Sequence, residues 1–354
     1  MLTFACLTTD EKYMTRCLQL AELGLGKVSP NPMVGAVLVY QDKIIGEGYH
    51  EQFGSAHAEV NCLQSVKEKD KALVPLSTLY VSLEPCCHHG KTPPCTDLVL
   101  NHAIKKVVVA TEDPFEKVSG GGIEKLRNSG VEVVVGVLKE EAQLLNTIFF
   151  HFHSKKRPYI ILKWAQTADG IIAAADYSRL FISGELTNKL VHRWRSETDA
   201  IMVGTNTALF DNPSLTTRHW PGKNPLRVVL DLDLNLKKES HLLDDSAPTI
   251  VINTSKDLQT GQTVFVRIDP EKNLLQQLNN CFFERGITSL LVEGGAKLLQ
   301  TFMDENMWDE MRIITNPNLI IEKGIAAPNH ISLSFSNQFE IGQDVVSIYH
   351  NSKT

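Results

Sequence analysis

His57-Ala58-Glu59 and, further along, Leu83-Glu84-Pro85-Cys86-Cys87-His88-His89-Gly90-Lys91-Thr92-Pro93-Pro94-Cys95 decide how this chain reads. One imidazole and two thiolates, His57, Cys86 and Cys95, form a donor set that suits Zn2+ and leaves a fourth position for water. A metal there brings the pKa of that water toward neutrality, and a carboxylate two residues after the histidine, Glu59, can carry its protons. A lone His or Cys is usually structural, and a structural zinc would close the site with a fourth ligand from Cys87, His88 or His89. That alternative gives Glu59 no purpose, so the hydrolytic reading is preferred. Cys86, directly after a proline at a predicted strand end, suits a loop or helix entrance where backbone N–H groups stabilise a thiolate. Glu84 reads as a strand-end carboxylate rather than a reacting group.

Outward from this stretch, the pattern predicts an alternating domain. Asp10–Gly24 reads as a capped helix with Met14, Cys17, Leu18 and Ala21 on one face. Met33–Tyr40 and Lys43–Tyr49 read as a hairpin turning at Gln41-Asp42. A helix is expected from about His57 to Lys69, placing His57 and Glu59 in its first turn. Strands at Thr78–Leu83, Lys106–Thr111 and Val131–Val135 alternate with helices near Thr96–His102 and Ile123–Asn128. The order α-β-β-α-β-α-β-α-β implies a mixed or parallel sheet covered by helices. Leu144–Pro158 is poorly patterned and reads as a linker or domain edge, giving expected domains of residues 1–147 and 148–354.

Size and charge agree with two soluble domains. The chain has 354 residues, 43% hydrophobic and 21% charged, too long for one core of ordinary size. No apolar run has membrane-spanning length, and no signal-like amino terminus is evident, so a cytoplasmic location is expected. Net charge is −6, with 14 basic and 18 acidic residues up to residue 150 and 21 and 23 after it. Neither half has the basic excess of a nucleic-acid binder, so no nucleic-acid partner is expected. Of seven cysteines, three cluster between 86 and 95, which favours a metal over a disulfide framework.

The second half reads as another α/β series. Strands are expected at Tyr159–Trp164, Ala200–Val203, Leu226–Leu230, Thr249–Asn253 and Ser289–Val292, with helices at Glu185–Arg195 and Glu271–Phe283. Glu293-Gly294-Gly295 ends the last strand and opens a helix to about Met303. Glycines there let an anion approach backbone N–H groups at a helix N-terminus. The same pattern is equally a plain strand-to-helix turn, and it lacks the six-position dinucleotide fingerprint.

The cysteine stretch resembles the H-x-E…P-C-x-x-C signature of zinc nucleobase deaminases, with six extra residues before the second cysteine of the pair. That inserted loop is polar and cationic, suited to an anionic substrate. With Pro30-Asn31-Pro32 and Val34-Gly35, it resembles the RibD family, the bifunctional deaminase–reductases of riboflavin biosynthesis. Gly204-Thr205-Asn206-Thr207, Asp211-Asn212-Pro213-Ser214-Leu215-Thr216-Thr217-Arg218, Lys163, Asp169-Gly170 and Arg195 resemble the reductase half of that family. The resemblance spans nearly the whole chain, in the expected order.

It implies a cytidine-deaminase-like α/β/α domain followed by a dihydrofolate-reductase-like α/β domain. The implied zinc ligands are His57, Cys86 and Cys95, with Glu59 as proton shuttle. Asn31, His88 and Lys91 are implied to hold the pyrimidine and its ribose phosphate. NADPH is the implied cofactor, met by Ala165, Thr207, Asp211 and the turn Gly295, Ala296, Lys297, Leu298, Leu299, Gln300 and Thr301. Ser178, Arg195, Leu215, Arg218 and Glu293 match substrate positions, and guanidinium forks such as Arg195 and Arg218 suit a phosphate. Lys163 is a candidate for polarising or protonating the opening sugar. Leu180 stands where some relatives carry a tryptophan near the nicotinamide. The expected partners are a small phosphorylated pyrimidine and further copies of the chain. The rival readings are a nucleoside or tRNA deaminase with an appended binding domain, a chain with one non-catalytic half, and a zinc-stabilised interaction module.

Overall fold

The computed structural model describes residues 7–88, 93–115, 120–176, 180–329 and 335–352. The chain divides into two compact units, Met1–Lys156 and Arg157–Thr354. Among the described residues, no helix is long and apolar enough to cross a membrane.

In the first unit the elements are α1 (Thr9–Glu22), β1 (Gly35–Tyr40), β2 (Lys43–Tyr49), α2 (Ala58–Gln64), β3 (Thr78–Val81), α3 (Cys95–Asn101), β4 (Lys106–Val109), α4 (Gly121–Asn128), β5 (Glu132–Val135), α5 (Lys139–Leu145) and α6 (Thr147–Lys155). The expected order is present through β5. A capping box between Thr8 and Glu11 starts α1. Gln41 and Asp42 both take positive φ, the conformation a two-residue hairpin demands. The sheet runs β2-β1-β3-β4-β5, antiparallel around β1 and parallel from β3 to β5.

Period-two alternation sorts the strands onto two buried faces. Ala36, Leu38, Leu79, Val81, Val107 and Val109 pack with Ala58 and Cys62 of α2, Val99 of α3 and Leu126 of α4. Val37, Val39, Tyr80 and Val108 pack with Tyr13, Met14 and Cys17 of α1 and Ala142 of α5.

Two expectations need correction here. The helix after His57 ends at Gln64, not Lys69, and a 3-10 segment follows over Glu68–Leu76. Ser65 fixes that end: its hydroxyl donates to the Cys62 carbonyl and accepts the Glu47 N–H of β2. The stretch 144–158, expected as a linker or domain edge, contains α6, and the division between the two units falls within it, after Lys156. Its run of aromatics hides a helical period, and Phe149 and Phe152 are buried through tertiary packing.

The second unit contains β6 (Tyr159–Thr167), β7 (Ile171–Ala174), α7 (Glu185–Glu197), β8 (Ala200–Gly204), α8 (Thr205–Asp211), β9 (Leu226–Leu230), β10 (Thr249–Asn253), β11 (Leu258–Thr260), β12 (Thr263–Arg267), α9 (Leu274–Glu284), β13 (Ser289–Val292), α10 (Ala296–Asp304), β14 (Glu310–Asn316), β15 (Gly324–Ala326), β16 (Asn337–Ile341) and β17 (Asp344–His350). The ten-stranded sheet has the order β11-β12-β10-β9-β8-β13-β6-β14-β17-β16. Its centre, from β12 to β14, is parallel, and the remaining pairs are antiparallel. Parallel strands buried on both faces read as continuous apolar runs, as in Ser289–Val292 and Ala200–Val203. Residues of β6 and the turns that follow β8 and β13 line one cleft.

Candidate functional site

In the first unit α2 brings the metal-type donors together. His57 is its N-cap residue and Glu59 lies in its first turn, with the side chain buried. The helix presses directly on β2: a Cβ on Gly48 would lie 2.2 Å from the Cys62 nitrogen, and one on Gly46 would lie 2.6 Å from the Cys62 carbonyl oxygen. Only glycine permits that approach. Cys86 follows β3, and Cys95 opens α3, whose first N–H donates to the Cys86 sulfur at 3.3 Å. His57 Nδ1 lies 3.6 Å from Cys86 Sγ and 3.3 Å from Cys95 Sγ. The three ligand atoms fall within 4.8 Å of one another.

The donor chemistry fits zinc. A tetrahedral ion with Zn–S of about 2.3 Å and Zn–N of about 2.0 Å needs S···N edges of roughly 3.5 Å. A hydrogen bond from the Cys95 thiol outweighs burial and, with His57 and the Cys95 N–H, pulls Cys86 down to about 4. The same bond, reinforced by burial, pushes Cys95 up. Burial first, then the charge at Cys86, raises Glu59. Cys87 does not join the donor set; a Cβ on Gly121 would stand 3.2 Å from its sulfur. Among the described residues, His57, Cys86 and Cys95 are the group able to hold a metal ion. His89 and Lys91 lie outside the described residues.

Surrounding groups hold the site in place. Glu84 accepts the backbone N–H groups of Asp113, Gly120, Gly122 and Ile123, which fixes the turn into α4 behind Cys86. Its expected role at the strand end agrees with this. The Asn31 amide meets His50 Nε2 at 3.2 Å, and the His50 ring stands edge-on to His57, 5.6 Å between centroids. Asn146, between α5 and α6, spans the N–H and C=O of Met33 at 2.8 and 2.9 Å, fixing the turn that carries Asn31. His88 is exposed, its ring facing Phe115. His50 and Asn146 escaped the sequence reading, since both act across long chain separations.

The second unit has a cleft of about 1300 Å³. At its floor Glu293, at the end of β13, receives Arg195 Nε and Nη2 at 2.8 and 2.6 Å. Lys163 Nζ on β6 lies 3.9 Å from the same carboxylate. Burial would raise Glu293, but Arg195 and then Lys163 bring it to about 2. Burial lowers Lys163 against the opposing pull of Glu293. Arg195 also donates Nη1 to the Thr216 carbonyl, so three of its five N–H groups are committed within the chain.

Most of the sequence-derived candidates converge here. Lys163, Ala165, Thr207, Asp211, Leu215, Arg218, Glu293 and the turn Gly295–Leu299 with Thr301 all line the cleft. Gln300 does not; its amide engages Asp304 and the Asn329 N–H. Ser178 lies outside the described residues. Leu180 lines the cleft beside Phe181. Asp169 instead caps the β6–β7 turn, accepting the Thr167 hydroxyl and the Glu322 N–H. Gly295 has φ +84°, and a Cβ on Gly294 would come within 3.1 Å of Thr207, so the turn is packed to its backbone. His192 was missed, although it stands three residues before Arg195 on the same helix face and lines the same cleft.

Comparison with known proteins divides the chain in the same way. The family described as cytidine and deoxycytidylate deaminase zinc-binding region matches residues 7–111, and the RibD C-terminal domain matches residues 158–330. The riboflavin biosynthesis protein RibD of Aquifex aeolicus is 43% identical over 322 residues, 88% of each chain. That of Actinobacillus pleuropneumoniae is 39% identical over 96% of this chain and 95% of its own. A crystal structure of a diaminohydroxyphosphoribosylaminopyrimidine deaminase/5-amino-6-(5-phosphoribosylamino)uracil reductase from Thermotoga maritima superposes with a TM-score of 0.87 at 38% identity, covering 97% and 98% of the two chains. Acinetobacter baumannii RibD gives a TM-score of 0.87 at 32% identity, with the same coverage.

Proposed function

The chain belongs to the RibD family, the bifunctional deaminase–reductases of riboflavin biosynthesis, and we propose how its residues divide the two reactions. Residues 1–156 deaminate 2,5-diamino-6-(5-phosphoribosylamino)pyrimidin-4-one. Residues 157–354 reduce the ribosyl group of the product, 5-amino-6-(5-phosphoribosylamino)uracil, to ribityl.

In the first reaction His57, Cys86 and Cys95 hold zinc, which supplies the Lewis acidity that makes water a nucleophile near neutral pH. Glu59 takes one proton from the attacking water and passes it to the ring nitrogen, then carries the second, from the newly added hydroxyl, to the amine, which leaves as ammonia as the C–N bond breaks and the C=O forms. Burial beside the three donors keeps Glu59 from bulk water during that exchange. Asn31 reads the pyrimidine, oriented by His50, while His88 and Lys91 belong to the loop that meets the ribose phosphate.

In the second reaction NADPH, held against Ala165, Thr207, Asp211 and the turn at Gly295, supplies the hydride. Lys163 donates a proton to the sugar oxygen as the ring opens. Burial lowers its pKa, which makes it a stronger acid, and Glu293 keeps it charged until the proton leaves. Ser178, Leu215 and Arg218 complete the substrate side. Arg218 carries the phosphate contact, and Arg195 contributes mainly through Glu293 and Thr216.

The observation that carries this reading is the presence of two unlike constellations in one chain. One is a soft donor triad beside a buried carboxylate; the other is a lysine–carboxylate–arginine set at the floor of a large cleft. Glu59→Gln tests the division. It should abolish ammonia release from the diaminopyrimidinone while leaving NADPH oxidation by the deaminated intermediate intact. Loss of both activities, or of neither, refutes the assignment.

A further inference from the structure

The cleft contains a buried histidine that neither proposed reaction uses. His192 lies on α7, on the face that carries Arg195, and is 6% exposed. Its Nδ1 sits 3.0 Å from the backbone nitrogen of Arg218. The backbone can only donate there, so Nδ1 is the acceptor and the ring proton lies on Nε2. Protonating Nδ1 would break the bond. Burial first, then the positive charges of Arg195, His219 and Arg218, push the group down to about 4 against Glu293. His192 therefore remains a neutral acceptor at neutral pH.

The segment it holds cannot keep its shape unaided. Leu215 is buried with φ +52°, a left-handed conformation that a branched side chain adopts only when its surroundings impose it. Each of the three following residues is tied down. The Thr216 carbonyl accepts Arg195, the Thr217 N–H donates to Asn224 at 2.8 Å, and the Arg218 N–H donates to His192. Two of these three ties come from one face of α7.

We propose that His192 is a positioning residue for the reductase: by accepting the Arg218 N–H it holds Leu215–Arg218 in the conformation that meets the substrate. The inference rests on the reading of Leu215 and Arg218 as substrate residues.

The test compares two side chains of similar polarity in the full-length protein. In His192→Asn the amide oxygen can stand where Nδ1 stands; in His192→Gln the amide is carried to the Nε2 position and the acceptor is lost. With 5-amino-6-(5-phosphoribosylamino)uracil as substrate, His192→Asn should keep KM near that of the unsubstituted protein. His192→Gln should raise KM about tenfold, corresponding to ~1.4 kcal/mol, with kcat changed far less. Ammonia release by the same samples should not change. Equal behaviour of the two variants, or a loss confined to kcat, overturns the proposal. Arg218→Ala separates the layers. If it raises KM while the two His192 variants behave alike, only the positioning role fails. If it leaves KM unchanged, the substrate reading of the segment fails with it.

Discussion

Glu293→Gln is expected to destabilise the reductase unit and stop reduction, and the structure sets the size of the effect. The carboxylate is 6% exposed, takes both forks of Arg195 and faces Lys163 Nζ at 3.9 Å. A carboxyl brought from 4.5 to about 2 corresponds to about 3 kcal/mol of folding stability at neutral pH. Removing one partner of a buried ion pair costs roughly 3–5 kcal/mol by mutagenesis of other proteins, which agrees. For a unit of this size each kcal/mol moves the thermal midpoint by about 2–4 °C, so a fall of roughly 6–12 °C is expected. The sign with pH follows from the depressed pKa. The contribution is complete above about 4.5, the unfolded value, and is lost as pH falls through about 2. Scanning calorimetry of the two full-length proteins should therefore show a gap that is widest near pH 7 and narrows below pH 4.5. NADPH oxidation should be lost and ammonia release retained. A midpoint within 2 °C of the parent at pH 7, or a gap that widens on acidification, would refute the reasoning.

Two further outcomes concern the deaminase unit. Gly48→Ala should displace α2, because its Cβ would lie 2.2 Å from the Cys62 nitrogen and 2.7 Å from the Ala58 carbonyl oxygen, both backbone atoms of that helix. Overpacking of this kind costs about 1–3 kcal/mol or more, so zinc content and ammonia release should both fall with NADPH oxidation retained. Chelation should abolish ammonia release, restored by Zn2+ alone, and leave the reductase rate unaffected; a chelated protein that still releases ammonia contradicts the metal assignment.

How much of this was legible in the sequence depended on whether the information was local. The strands Lys43–Tyr49, Leu226–Leu230, Thr249–Asn253 and Ser289–Val292 agree with the sequence to the residue, the first placed by the hairpin turn before it and the others by short, mostly apolar runs. The donor set was legible because soft ligands beside a carboxylate are rare by chance. By contrast the stretch that forms α6 reads as a linker or domain edge, because Phe and His at successive positions erase the period on which helix recognition depends. The strands after Met303 passed without assignment; half of β14 and β17 alternates, but β16 is largely exposed and carries little pattern. Gln300 shows another limit. A contiguous motif from Gly295 to Thr301 cannot face one cleft in full, since successive helical residues are turned by 100°.

Arg195 shows why pairing matters more than residue type. The sequence offers an arginine and a phosphate-bearing ligand, and the simplest match joins them. Within the chain the guanidinium fork meets Glu293, and this bears on Lys163. Arg195 lowers the lysine directly by repulsion, while Glu293 raises it. Because Glu293 gives both oxygens to Arg195, it stands 3.9 Å from Nζ instead of at the 2.6 Å it keeps with the guanidinium. A contact ion pair would hold the ammonium proton tightly and weaken it as an acid. At the observed spacing the charge is compensated without a short bond that must break before the proton can move. In the proposed reduction Arg195 would act on the lysine through the carboxylate between them, an arrangement that no sequence distance among residues 163, 195 and 293 discloses.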